Sequence, residues 1–210
     1  MTAHRICWSV VVPVKRLPAA KTRLRPPGTV RREDLALAMA LDTVQAALAC
    51  PAVSTVVAVC DDPVASPRLA ALGAEVVADE PDAGLNPALA HGVGVATAAR
   101  PDCGVALLSS DLPALQAADL AEALDQAAAY DVSVVADHAG TGTVLLTALP
   151  GVPLAPAFGA ESLAAHTAAG AVALESPLER LRRDVDTAED LEATRRLGFG
   201  PHTSALLSGS

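Results

Sequence analysis

The sequence has 210 residues, 51% apolar and 19% charged, with 16 prolines and 14 glycines. Disorder and repeat architectures are excluded by that profile, which supplies enough apolar side chains for one buried core. No apolar run reaches the roughly 20 residues of a membrane span, and the start of the chain carries Arg5 ahead of a strand-like stretch of Val and Ile, so a cytoplasmic protein is expected. A net charge of −9 and only four aromatics (Trp8, Tyr130, Phe158, Phe199) argue against a nucleic-acid partner, through both phosphate attraction and base stacking.

Residues 7–14 (CWSVVVPV) read as a β-rich apolar run that feeds a Pro- and Gly-containing loop over 15–29. Lys15, Arg16, Lys21, Arg23 and Arg25 place +5 within eleven acid-free residues of that loop, leaving the other 199 residues at −14. Leu37, Leu41, Val44 and Leu48 then recur on one helical face, and residues 55–60 return as a buried strand, completing a βαβ unit. The alternation continues with a helix over 67–72, a strand over 74–78, a helix over 86–99, a strand over 104–109, a helix over 117–129 and a strand over 131–136. In the less regular last third, 143–149 and 171–174 read as strands. Residues 161–169 and 187–197 read as helices, the second closed by Gly198. Continuous apolar strands separated by helices predict a single α/β domain over 1–200: three layers, Rossmann-like, with a mostly parallel sheet covered on both faces. Residues 201–210 are expected to be a loosely ordered tail. Cys7, Cys50, Cys60 and Cys103 show no C-x-x-C spacing and are expected to be reduced, mostly buried thiols.

The basic loop follows strand one, where open parallel sheets bind ligands. Lys15, Lys21 and Arg23 there suit a polyphosphate, although charge alone is equally met by a solvated loop. Neither the P-loop nor the dinucleotide glycine fingerprint is present. Asp111, in Ser-Ser-Asp-Leu-Pro at the end of a central strand, is placed to hold Mg²⁺ against phosphates or, more simply, to cap a turn. Asp184 and Asp186 share one face of an extended segment, an arrangement that is costly without a cation; Asp186 or Thr187 is also a natural N-cap for the next helix. Asp82, Gly84 and Asn86 join a strand to a helix, with Asn86 expected as N-cap and Pro87 at the first helical position. Asp82 or nearby backbone groups are also placed to read a purine edge. Gly140-Thr141-Gly142-Thr143 and Phe158-Gly159-Ala160-Glu161-Ser162 suit backbone anion nests, or tight turns that need glycine. His4, His91, His138, His166 and His202 are scattered without metal-ligand spacing or a nucleophile partner, and are expected to be surface or satisfied core residues.

In this order, P-V-K-R-L-P-A-A-K-T-R-L, D-A-G-L-N-P-A-L, S-S-D-L-P, G-T-G-T, F-G-A-E-S and D-V-D-T resemble the guanylyltransferases that make the phosphodiester precursor of the deazaflavin coenzyme. The match is to the phosphoenolpyruvate type and its 2-phospho-L-lactate sister, and it runs from residue 7 to about 200. The resemblance implies a single nucleotidyltransferase domain that transfers GMP from GTP to phosphoenolpyruvate and releases pyrophosphate. It makes Asp111 and Asp184 Mg²⁺ ligands with Asp186 as helper, and Thr143, Gly159 and Ser162 contacts to the phospho-acid. Lys15, Lys21 and Arg23 become nucleotide phosphate contacts, Lys21 with a catalytic part, while residues 82–86 lie near the guanine and ribose. 2-Phospho-L-lactate or a phosphoglycerate as acceptor, a molybdenum-cofactor guanylyltransferase and an inactive nucleotide-binding partner subunit are the alternatives. The expected partners are the small-molecule substrates and a next enzyme that receives an unstable product, with a homodimer admissible. Such chemistry needs no general base, because the attacking phosphate oxygen is already anionic, which accords with a sequence offering carboxylates and cations but no Ser-His or Cys-His pair.

Overall fold

In the computed structural model, which describes residues 6–175 and 178–209, Trp8–Pro13 (β1) runs up the middle of a seven-stranded sheet. His4, Arg5 and the last residue of the expected tail lie outside the described residues. After β1 and a 3-10 turn at Leu17–Ala19 come α1 (Arg32–Leu48), β2 (Val53–Val59), α2 (Ala65–Leu72), β3 (Glu75–Val77) and α3 (Leu85–Ala99). Next are β4 (Gly104–Leu108), α4 (Ala117–Ala127), β5 (Val132–Ala136), β6 (Thr143–Ala148), α5 (Ser162–Ala168) and β7 (Val172–Ala173). Three short helices follow, α6 (Glu179–Arg182), α7 (Ala188–Arg195) and α8 (Pro201–Ser208).

The strand order is β3-β2-β1-β4-β6-β5-β7, and β6 alone runs against the others. The two-residue period of the valine run separates the layers. Val10 and Val12 face Leu37, Leu41, Leu120 and Leu124 of α1 and α4, whereas Val11 faces Leu89 and Ala96 of α3. The three-layer α/β prediction therefore holds, and α3 lies close to the sheet because residue 92 is glycine. A Cβ there would overlap Val11 and come within 2.9 Å of Val59.

Three expectations change. Cys7 and Cys103 are joined in a disulfide, while Cys50 and Cys60 are buried thiols outside it. The parallel register sets Trp8 opposite Gly104, so the preceding residues of the two strands stand side by side, Cα to Cα 4.9 Å. Residues 201–208 are a helix instead of a loose tail. The buried Asp42 of α1 accepts the His202 and Thr203 N–H groups at 2.8 and 2.9 Å, capping α8 from a distant part of the chain. Asn86 is not an N-cap: α3 starts at Leu85 after Gly84, whose φ of 105° suits glycine, and the Asn86 side chain turns elsewhere.

A small second core forms where α1, α7 and α8 meet. Leu24 of the basic loop and Val185 between the two aspartates are buried there with Leu35, Met39 and Leu191, backed by Leu206 and Leu207. It fastens the basic loop to the Asp-Val-Asp segment.

Candidate active site

The segments with candidate chemistry gather at the carboxyl edge of β1 and β4. Asp111 follows β4, where the Leu112 N–H is held by Thr43 Oγ1 at 3.0 Å and the Asp111 carbonyl accepts the Val185 N–H at 3.2 Å. That backbone bond, with Val185 inserted in the small core, brings the carboxylates flanking Val185 toward Asp111. Thr187 takes over the N-cap of α7 through a capping box with Asp190, leaving the Asp186 carboxylate for other partners.

Lys21, with a left-handed φ of 52°, reaches back between these acids. Its ammonium contacts Asp111 Oδ2 and lies 2.7 Å from Asp186 Oδ1, and Arg23 Nη2 is 2.7 Å from Asp186 Oδ2. Burial alone would make Lys21 easier to deprotonate, but Asp111 and Asp186 outweigh it and hold the ammonium well above the ordinary lysine range. Asp186 is likewise held below its usual range: burial works the other way, and Lys21 and Arg23 prevail. Asp184 has no such compensation. Burial, then the Asp111 charge, push its carboxyl up to about 7, with Asp137 and Asp186 adding and Lys21 opposing.

Two cavities share Pro13, Val14, Lys15 and Leu85 as a common wall. One, of about 210 Å³, reaches Lys21, Ser109, Ser110, Asp111, Asp186 and Phe158. The other, of about 270 Å³, is bounded by Arg16, Asp61, Asp79, Asp82, Gly84 and Ala88. Arg16 Nη2 ties this second rim together, 3.2 Å from Asp82 and 3.5 Å from Asp61. Exposed Lys15 faces both cavities.

Thr143 and Ser162 are brought together, hydroxyl to hydroxyl at 3.1 Å, but are buried behind the first cavity. Ser109 stands between, its Oγ 3.5 Å from the Thr143 carbonyl. Gly159, at φ 138°, follows Phe158, whose ring meets His166 edge-on at 5.3 Å. Asn86 holds this segment: its Nδ2 donates to the Phe158 carbonyl at 3.0 Å and its Oδ1 accepts the Phe158 N–H at 2.8 Å. The Gly140 to Thr143 segment does not open as an anion nest. It is the β5–β6 hairpin turn, and Asp137 takes the Gly140 N–H on its carbonyl and the Thr141 N–H on its carboxylate. Asp61 and His166 belong to the site region although no motif marked them, and Ser109 and Phe158 lie in marked motifs without having been given a part of their own. The end-of-strand position of Asp61 was the available signal.

Among the described residues no three His, Cys, Asp or Glu side chains form a ready metal cage. The donor set nevertheless suits Mg²⁺, which commonly takes one or two carboxylates and completes its shell with phosphate and water. Here a cation already bridges Asp111 and Asp186, and Asp184 stays short of positive charge.

Residues 8–170 match the family model described as "Guanylyl transferase CofC like". The chain belongs to that family. This guanylyl transferase is 55% identical over 209 residues to the phosphoenolpyruvate guanylyltransferase of Thermomonospora curvata, covering 98% of this chain and 91% of that one. Its identity to the protein of that name from Streptomyces coelicolor is 54% over 201 residues, with 95% of each covered. In fold the CofC-like chain is similar to a nucleotidyl transferase from Methanothermobacter (TM-score 0.60, 17% identity, 91% of this chain and 97% of that one). It is also similar to a 4-diphosphocytidyl-2C-methyl-D-erythritol synthase (TM-score 0.57, 13% identity, 91% and 99%). No helix among the described residues is long and apolar enough to cross a membrane.

Proposed function

We propose that this guanylyl transferase transfers GMP from GTP to phosphoenolpyruvate with Mg²⁺ as its cofactor. The observation that carries the reading is the junction of the two cavities at an edge where Asp111, Asp184 and Asp186 meet Lys21 and Arg23. Support comes from the near full-length relatives that bear the phosphoenolpyruvate guanylyltransferase name.

The triphosphate runs along the common wall past Lys15 toward Lys21 and Arg23, and the base enters the cavity rimmed by Asp82 and Gly84. Asn86 acts on the acceptor side through Phe158. Asp111 and Asp184, with Asp186 beside them, would hold Mg²⁺, which would supply charge neutralisation on the phosphates. The acceptor acid sits toward Thr143, Gly159 and Ser162. One anionic oxygen of its phosphate attacks the α-phosphorus of GTP, the bond from that phosphorus to the bridging oxygen breaks, and the electron pair leaves on pyrophosphate. No proton need be removed, so the protein's part is to hold two polyanions in line and offset their repulsion. A cytoplasmic location, hand-over of the labile diester to the next enzyme and a homodimer fit this reading.

The test incubates the protein with GTP, Mg²⁺, pyrophosphatase and, in turn, phosphoenolpyruvate, 2-phospho-L-lactate and 3-phosphoglycerate, following the diester by phosphorus resonance spectroscopy. Diester from phosphoenolpyruvate at the highest kcat/KM is expected. A higher value for another acid reassigns the acceptor, and no diester from any would leave a nucleotide-binding subunit.

A further inference from the structure

His166 is buried and has no part in the transfer described above, yet it is bonded through both ring nitrogens. The Ala157 N–H points at Nε2 at 3.0 Å, and Nδ1 lies 3.0 Å from Thr143 Oγ1. A backbone N–H can only donate, so Nε2 must keep its lone pair and the neutral ring must carry its proton on Nδ1. Burial favours that neutral form by lowering the pKa of the ring. Nδ1–H then donates to Thr143, which is also bonded to Ser162 at 3.1 Å. The imidazole and the two hydroxyls bring three protons to two bonds. One hydroxyl proton, on Thr143 or Ser162, is left over, and among the described residues no acceptor takes it.

We propose that His166 is a positioning residue of the acceptor site: fixed by the Ala157 N–H in its Nδ1–H form, it makes the Thr143–Ser162 pair an obligate donor toward an anionic oxygen of the acceptor acid. This rests on the assignment of Thr143 and Ser162 to the acceptor. The opposite tautomer would let Thr143 donate to the ring and leave the pair able to close on itself. The same ring braces Phe158, whose backbone Asn86 grips from α3, so the two side chains fix consecutive amides of the segment leading to Gly159.

Two measurements test it. Long-range proton–nitrogen correlation spectra of the unaltered, nitrogen-15-labelled protein are expected to show His166 with a protonated Nδ1 and a bare Nε2; the reverse pattern overturns the proposal. In steady-state kinetics, His166→Leu is expected to raise KM for the phospho-acid about tenfold, the scale of one hydrogen bond to a charged group, with KM for GTP and kcat within about twofold. His166→Gln, whose carboxamide can both accept and donate, is expected to recover most of the loss. Equal changes in both KM values with a lowered melting temperature, or no change at all, would reduce His166 to a structural residue. Should the leucine variant not fold, the glutamine variant and the spectra still decide. Absence of turnover with every acid in the unaltered protein would instead strike the functional reading, while the spectra would continue to report on the ring.

Discussion

Asp184 is the acid at the site that the protein's own cations leave least compensated. Replacing it or Asp111 by Ala is expected to cut pyrophosphate release by about 10³-fold or more with an unchanged circular dichroism spectrum, since on the proposed reading each is a ligand of the Mg²⁺ that would neutralise the phosphates. Its titration gives a separate expectation for the metal-free protein. The folded-state value near 7 lies above the ordinary 3.8, so the fold favours the protonated acid. That contribution is complete below 3.8 and lost as pH rises through 7. Urea midpoints measured in chelator should show a smaller decline over that window for Asp184→Asn than for the unaltered protein, and equal declines would place the titration elsewhere. Lys21 offers the converse test. Lys21→Met leaves Asp111 and Asp186 facing each other without the shared ammonium, and is expected to lower the melting temperature. Added Mg²⁺ should raise that temperature more in the variant than in the unaltered protein.

Among the elements, those with a local signal were legible. The strand ends and helices of the alternating part were read to within a few residues, because their apolar periodicity is written into neighbouring positions. Thr187 was one of two expected caps, and its capping box settles between them. Asn86 misled because Asn followed by Pro is a strong capping signal, yet its carboxamide finds two better-placed backbone groups on Phe158, 72 residues away. Helix α8 had Pro201 at its first position but drew its cap from Asp42, 160 residues earlier, a partner no window could reveal. Asp42→Ala is expected to cost about 1–2 kcal/mol in chemical denaturation, as for a helix cap removed from a buried setting. The Cys7–Cys103 bond escaped for the same reason: a search by spacing finds motifs, whereas this pair is set by the β1–β4 register.

For the whole molecule, the net charge of −9 averages over regions that fold together. Part of the basic loop's charge is spent on Asp111 and Asp186, so the site is a balanced mixture of signs and not a bare cationic cradle. The convergence of Asp111, Asp186, Lys21 and Arg23 was foreseeable as an ordered set of motifs, but their mutual pairing accompanies a small core around Leu24 and Val185 that is drawn from distant parts of the chain. Ending the chain at Gly200 would strip Leu206 and Leu207 from that core while removing no residue assigned to substrate. Such a truncation is expected to lower the melting temperature by several degrees and reduce kcat/KM for both substrates, read by calorimetry and the diester assay. Unchanged kinetics would mean that the two loops hold each other without α8.

The reversed direction of β6 has a consequence for how such enzymes can diversify. Because β6 runs against β4, its first residue, Thr143, stands beside Ser109 at the catalytic edge, and the hairpin turn leading into it hangs over that edge. On the proposed placement, the nucleotide is held by the segments that follow β1 and β3, and the direct contacts to the acceptor come from elements that follow β4, braced by Asn86 of α3. The two specificities are therefore modular. Changes of length or shape in the 137–142 turn can retune the choice of acid while leaving the nucleotide half of the sheet in register.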